Sequence, residues 1–238
     1  MDRTDFWLEL SQLMEEHDLL RHPFYEAWRA GSLTLHDLRE YASEYYHHVA
    51  SFPVYLREFA ARLPLGDLRQ SILANLWDEL GMNAGTNRAH SLLWIDFAVG
   101  TGVLPNDVFK RSPMREVAAL IESFLTVACS GTSAEVLAAF YVYESQVPRI
   151  AREKAETLRT KYGLDTAACG YFTLHATADI AHARVWREQL DRLLSADAKA
   201  VKPAIVAAER AAKALWKALD GINAKRLMRS GKPASNLN

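Results

Sequence analysis

Cysteine is scarce. Cys129 and Cys169 stand apart and form no CxxC pair, which excludes a disulfide framework and a thiolate zinc site; both are expected to be buried free thiols. Glycine and proline are few as well, 11 and 8 in 238 residues, and neither a hairpin signal nor a fixed-period repeat is present. No sign of charge dominates: 28 Lys and Arg face 29 Asp and Glu, for a formal net charge of -1. Such a chain carries no field to gather nucleic acid or an acidic membrane surface, so small molecules are the expected partners. No apolar run approaches the roughly 20 residues that span a bilayer, and the opening MDRTDFWLEL lacks the basic start and apolar stretch of a secretion signal. A soluble, cytoplasmic protein is the expectation.

Hydrophobic residues make up 50% of the chain, enough for one compact domain with a sizeable core. The domain is expected to cover residues 1–224, with a polar tail over 225–238 that frays in GKPASNLN. Apolar positions recur at helical spacing: Phe6, Leu10, Leu13 and Met14, then Leu38, Tyr41, Tyr45 and Val49. Ser32 and Thr34 precede one helical segment and Pro53 begins the next. Further breaks fall at Pro64 with Gly66 and between Gly100 and Pro105. Later helices are expected over 114–129, 133–161 with a kink or junction at Pro148, 169–194 and 197–220. The fold class is all-α, a bundle of seven or more helices, an architecture that builds sites from inward side chains.

The stretch HATADIAH places His175, Asp179 and His182 within an arc of roughly 60° on a helix turning about 100° per residue. That face is either solvated or part of a metal site. The residues around it, Phe172, Ala176, Ile180, Ala183, Val185 and Trp186, leave little other polar surface, and unpaired polar groups in an apolar cavity cost a few kcal/mol. Asp179-x-x-His182 has the carboxylate-x-x-His form found in dimetal helical bundles. Two acids stand out in otherwise apolar helical runs: Glu144 in VLAAFYVYESQVP and Glu79 at the end of SILANLWDEL, with His90 close after it. Glu79, His90, Glu144, His175, Asp179 and His182 thus offer three carboxylates and three imidazoles. Two divalent ions would leave about one net positive charge there, and without metal at least one carboxylate is expected to protonate. Nitrogen and oxygen donors without thiolate favour iron or manganese. Asp78 is the decoy beside Glu79, and His22, His36, His47 and His48 read as helix-surface or cap residues.

HPFYEAW, LREYASEYYHHVASFPVYL, NLWDEL with HSLLWIDFAVGTGV, YVYESQVPRIAREKAETLRTKYG and YFTLHATADIAHA together resemble the Chlamydia protein associating with death domains and its bacterial relatives, in the heme-oxygenase-like dimetal oxidase family. The resemblance covers roughly residues 5 to 220 and extends more distantly to thiaminase II and the pyrroloquinoline-quinone biosynthesis protein C. It implies a heme-oxygenase-like fold with two metal ions, iron with iron or manganese with iron. One would be held by Glu79, His90 and His175, the other by Glu144, Asp179 and His182. Dioxygen would be the co-substrate and an external reductant would supply electrons. In close relatives the implied product is para-aminobenzoate for folate, its ring taken from a tyrosine of the protein. The sacrificed tyrosine falls on Tyr25, a second functional tyrosine on Tyr41 and the amino-donating lysine on Lys154. The loop MNAGTNRA lengthens the interval from Glu79 to His90, and Leu80 stands where an acid is common in the family.

Three other readings stay open: a dimetal oxidase acting on a separate small substrate such as a fatty acid or amino acid, a metal-free thiaminase-like or quinone-cofactor enzyme, and a helical interaction module without catalysis. A homodimer is expected from the bundle architecture.

Overall fold

The computed structural model describes residues 3–82 and 87–231. Helices and short turns account for the described chain, with no strand among those residues. α1 (Arg3–Glu16) leads through a 3-10 turn (Leu19–Arg21) to α2 (Pro23–Ala30). His22 sits at the junction: its Nδ1 accepts the Phe24 N–H and Pro23 occupies the first turn, where its missing N–H costs nothing. Gly31 closes α2 in the left-handed region, φ 69°.

α3 (Leu35–Arg62) is a 28-residue helix through the middle of the molecule. Thr34 starts it as expected, in a reciprocal capping box with Asp37. Pro53, expected to open a new segment, lies inside α3 instead. Proline removes the donor for the Val49 carbonyl, but Val49, Phe52, Tyr55, Leu56 and Phe59 are all buried, and packing against α4 (Asp67–Glu79), α5 (His90–Gly100) and α7 (Arg115–Ser130) holds the helix through it. A short helix, α6 (Pro105–Lys110), joins α5 to α7.

α8 (Ser133–Glu144) and α9 (Val147–Thr160) divide the run expected over 133–161, with the junction at Ser145 and Gln146 just before Pro148. α10 (Gly170–Ala196) packs on α9, α8 and α5, and α11 (Val201–Arg229) on α8, α7 and α1. The last helix was expected to end near 220; it continues to Arg229 because its far end is tied to α3, through Lys225 to Glu40 and Arg229 to Asp37, both 2.7 Å. The expected tail from 225 is therefore helical as far as Arg229, and residues 232–238 lie outside the described residues.

The core is strongly aromatic, with Trp28, Trp94, Trp186, Tyr41 and Tyr55 among its largest fully buried side chains. Cys169 is buried as expected, but Cys129 is exposed near the end of α7. No helix among the described residues is long and apolar enough to cross a membrane.

Candidate metal centre

All six residues singled out as ligands are buried: Glu79, His90, Glu144, His175, Asp179 and His182 expose between 2% and 9% of their surface. Three helix ends and one helix middle deliver them. α4 ends on Glu79, α5 begins on His90, α8 ends on Glu144, and α10 presents His175, Asp179 and His182 along one stripe. The solvated reading of HATADIAH is thereby excluded.

The long loop from Met82 to Ala89 does not separate Glu79 from His90. Gly81 turns back at φ 69°, so that a Cβ there would lie 2.2 Å from the Arg88 carbonyl carbon. Arg88 in turn bonds Asp96 on α5 through both guanidinium nitrogens, at 2.5 and 2.8 Å. Residues 83–86 of the loop lie outside the described residues. The result is a compact set: Glu79, His90 and His175 each offer a donor atom, all within 4.8 Å of one another. The His90 and His175 rings meet edge to face at 4.6 Å. The other triplet is looser, with His182 Nδ1 at 3.5 Å from Asp179 and 4.0 Å from Glu144.

The donors fit metal. His90 Nδ1 lies 3.0 Å from Glu79 Oε1 without hydrogen-bond alignment, and both His90 Nδ1 and His182 Nδ1 are buried with no hydrogen-bond partner. Orphaned ring nitrogens at this depth are costly unless a ligand takes their lone pairs. His175 Nδ1 donates to the Tyr171 carbonyl at 2.7 Å, which leaves its Nε2 as the acceptor. A residual cavity of about 10 Å³ lies among Glu79, Glu144, His175 and Asp179.

Electrostatics point the same way. Burial, together with the charges of Asp179 and Glu79, pushes the Glu144 carboxyl up to about 8 despite His182 nearby. Burial works against charge on His182, but Asp179 and Glu144 raise it to about 10. Burial opposes ionisation of Glu79 too, yet His90 beside it holds the carboxyl below its ordinary value. Without metal the cluster holds protons, as expected for converging carboxylates; divalent ions would replace them.

A second buried group lies nearby. Tyr25 from α2, Tyr41 from α3 and Lys154 from α9 converge: the two hydroxyls are 3.0 Å apart and Lys154 Nζ donates to Tyr41 Oη at 2.6 Å. Nζ also stands 3.8 Å from the centre of the Tyr25 ring. Lys154 is 4% exposed, and burial pushes its pKa well down. Burial pushes both tyrosines up. A cavity of about 30 Å³ adjoins this group, and Tyr143 and Tyr171 line both it and the smaller cavity at the carboxylates.

Several side chains at the site escape sequence reasoning. Trp186 Nε1 donates to Glu144 Oε2, and Asn75 Nδ2 to Glu144 Oε1 at 3.3 Å. The Tyr171 ring stacks on His175 at 3.9 Å. Tyr171 and Trp186 continue the 175, 179, 182 stripe by four residues at either end, a signal present in the sequence. Asp78, beside Glu79, is not among the converging donors, but its Oδ2 lies 3.2 Å from His182 Nε2. Among the spare histidines, His22 caps α2 as expected but is fully buried, as is His48.

A bundle of this shape with a buried carboxylate and imidazole cluster defines a helical metalloenzyme. The family of iron-containing redox enzymes matches residues 39–217, and the chain belongs to it. Within reach of that family, the 4-aminobenzoate synthase of Chlamydia trachomatis is 35% identical over 198 residues, covering 83% of this chain and 84% of the relative. The 4-aminobenzoate synthase of Nitrosomonas europaea is 32% identical over 233 residues, covering 94% and 93%. A heme oxygenase-like domain of unknown function from Shewanella denitrificans shares the fold, with a TM-score of 0.76 at 18% identity over 100% of this chain and 99% of that one.

Proposed function

We propose that the protein is an oxygen-dependent oxidase that makes 4-aminobenzoate from its own Tyr25, with Lys154 as the source of nitrogen. The product comes from the named activity of the Chlamydia and Nitrosomonas relatives. The observation that carries the residue roles is the contact among Tyr25, Tyr41 and a buried Lys154 whose Nζ bonds Tyr41 Oη. Glu79, His90 and His175 would hold one metal ion and Glu144, Asp179 and His182 the other, as an iron pair or a manganese and iron pair. When bound, the metals supply oxidising power drawn from dioxygen and an external reductant.

The protein's own groups do the rest. Burial resists simple ionisation of Tyr25, so its proton has to leave with an electron. The Tyr41 hydroxyl, 3.0 Å from that of Tyr25 and itself held by a hydrogen bond from Lys154 Nζ, orients the phenol for that step. An amine in an aromatic box favours the neutral form, whose lone pair can bond the ring carbon that bears the oxidised Tyr25 oxygen; that oxygen leaves as water, and the Nζ–Cε bond then breaks in a further oxidation for which dioxygen is the oxidant. The amine lies over the face of the Tyr25 ring, 3.8 Å from the ring centre, the side from which a lone pair has to approach a ring carbon. Trp28 and Phe172 also face the Lys154 ammonium position, and Phe24 stacks on Tyr41 at 5.3 Å; these walls keep water from the reacting ring.

The alternative of a separate substrate is weaker on size. A free amino acid or fatty acid needs a pocket of hundreds of Å³, against about 30 Å³ beside Lys154. Isotope labelling separates the two. Protein grown on ring-deuterated tyrosine, loaded with iron and manganese without oxygen and then exposed to dioxygen and reductant, should release deuterated 4-aminobenzoate. Product without deuterium would refute Tyr25 as the ring source.

A further inference from the structure

Two imidazoles of the site, His175 and His182, are held differently on their outer sides. His175 gives its outer N–H to a neutral backbone carbonyl, that of Tyr171. His182 gives its Nε2–H to a carboxylate, Asp78 Oδ2, at 3.2 Å. Asp78 sits next to Glu79 at the end of α4, so consecutive residues of one helix serve both halves of the site: Glu79 faces His90 and Asp78 backs His182. The Asp78 side chain is 39% exposed and that of His182 11%, so this contact closes the site on its solvent side. The other nitrogen of His182, Nδ1, is buried, unpartnered and turned toward Asp179 and Glu144.

We propose that Asp78 is a positioning residue for His182: by accepting the Nε2–H it fixes the ring so that Nδ1 is the nitrogen offered to metal, and makes the Glu144, Asp179 and His182 half of the site the more electron-rich. The inference rests on the metal reading of the site. With metal on Nδ1 the one N–H left on the ring is Nε2–H, and in the charged, metal-free ring that same N–H points to Asp78. A carboxylate partner raises the donor strength of the ring beyond what a carbonyl does, and loss of such a partner weakens metal binding by about 10- to 100-fold. The looser triplet is therefore the half that depends most on a residue outside it. The two metals are bound with different affinities, and Asp78 sets one of them.

Two readouts test this on Asp78→Ala and Asp78→Asn. The first uses metal-free protein with ¹⁵N-labelled histidine, the His182 resonances being assigned with His182→Gln. The His182 Nε2–H should appear as a downfield, slowly exchanging proton in the natural protein, persist in Asp78→Asn, whose amide oxygen still accepts, and be lost in Asp78→Ala. The second is anaerobic Mn(II) titration followed by the electron paramagnetic resonance of free Mn(II). One of two binding events should weaken by about 10- to 100-fold in Asp78→Ala and by less in Asp78→Asn, with the other unchanged. A His182 Nε2–H signal unaltered in Asp78→Ala, full affinity for both ions in that variant, or equal loss of both ions in both variants would overturn the proposal. Failure of the natural protein to bind any Mn(II) or Fe(II) would instead refute the metal reading, and the proton signal would still decide the orientation of the ring.

Discussion

Replacing Lys154 with Met should stabilise the metal-free protein, and by an amount that depends on pH. Lys154 Nζ has one hydrogen-bond partner, Tyr41 Oη, and aromatic rings around it. Burial pushes its pKa well below the ordinary lysine value, so the unfolded chain binds a proton there that the folded chain does not. Folding stability from this residue therefore rises with pH between the depressed folded pKa and about 10.4, and levels off above it. Each pH unit in that window is worth about 1.4 kcal/mol. The hydrogen bond to Tyr41 returns about 1 kcal/mol. Methionine has similar volume and titrates nowhere, so Lys154→Met should be the more stable protein at neutral pH, by a margin that shrinks by about 1.4 kcal/mol for each pH unit inside the window. The gain should fall toward zero as pH approaches 10. Urea unfolding of both proteins at several pH values measures it directly. A stability difference that stays constant from pH 7 to 10 would mean that Lys154 keeps its charge when folded, and the nucleophilic role argued for it would fail.

Other perturbations have defined outcomes. His22→Ala removes both the cap on Phe24 N–H and the bond to Asp220, at 3.1 Å each, and should cost about 2–3 kcal/mol by urea unfolding, whereas His22→Asn, which can still cap, should lose about half as much. Gly81→Ala forces a side chain into the left-handed region and against the Arg88 backbone; it should destabilise by about 1–3 kcal/mol and weaken metal uptake by separating Glu79 from His90. Two outcomes are expected for Glu144→Gln, which removes the carboxyl that burial and like charges push up to about 8. Its metal-free form should lose less stability than the natural protein as pH rises from about 4.3 to 8, the window in which the folded Glu144 keeps a proton that the unfolded chain has lost, and its metal content should drop. Metal at about 100 times its dissociation constant should raise the stability of the natural protein by roughly 2.7 kcal/mol in a thermal melt, an effect that a chelator reverses.

Much of the site was legible because its residues break local rules. Glu144 is an acid in an apolar helix, and His175, Asp179 and His182 repeat at helical spacing among small residues; both are contradictions that a ligand resolves. Local patterns carry no information on which helix faces which, so Asp78 looked like a neighbour of Glu79 and nothing more until α4 was placed against α10. Pro53 misled for a related reason. Its local signal for a break is real, but buried aromatic residues on both sides outweigh one missing hydrogen bond. Cys129 likewise sits in an apolar run yet falls on the outer face of α7. For Tyr25, Tyr41 and Lys154 the sequence held no rule violation strong enough to act on, since aromatics usually pack and lysines usually face water. The structure places the amine among aromatic rings, with Tyr41 Oη as its hydrogen-bond partner.

The central claim is that metals at the six-donor cluster direct oxidation of a tyrosine held beside a neutral lysine. Peptide mapping by mass spectrometry, before and after a single exposure of metal-loaded, reduced protein to dioxygen, tests it most directly. The account predicts modification at Tyr25 and at Lys154 in amounts that match the 4-aminobenzoate released, with both changes absent in Glu144→Ala. Release of 4-aminobenzoate from protein whose Tyr25 and Lys154 remain intact would contradict it.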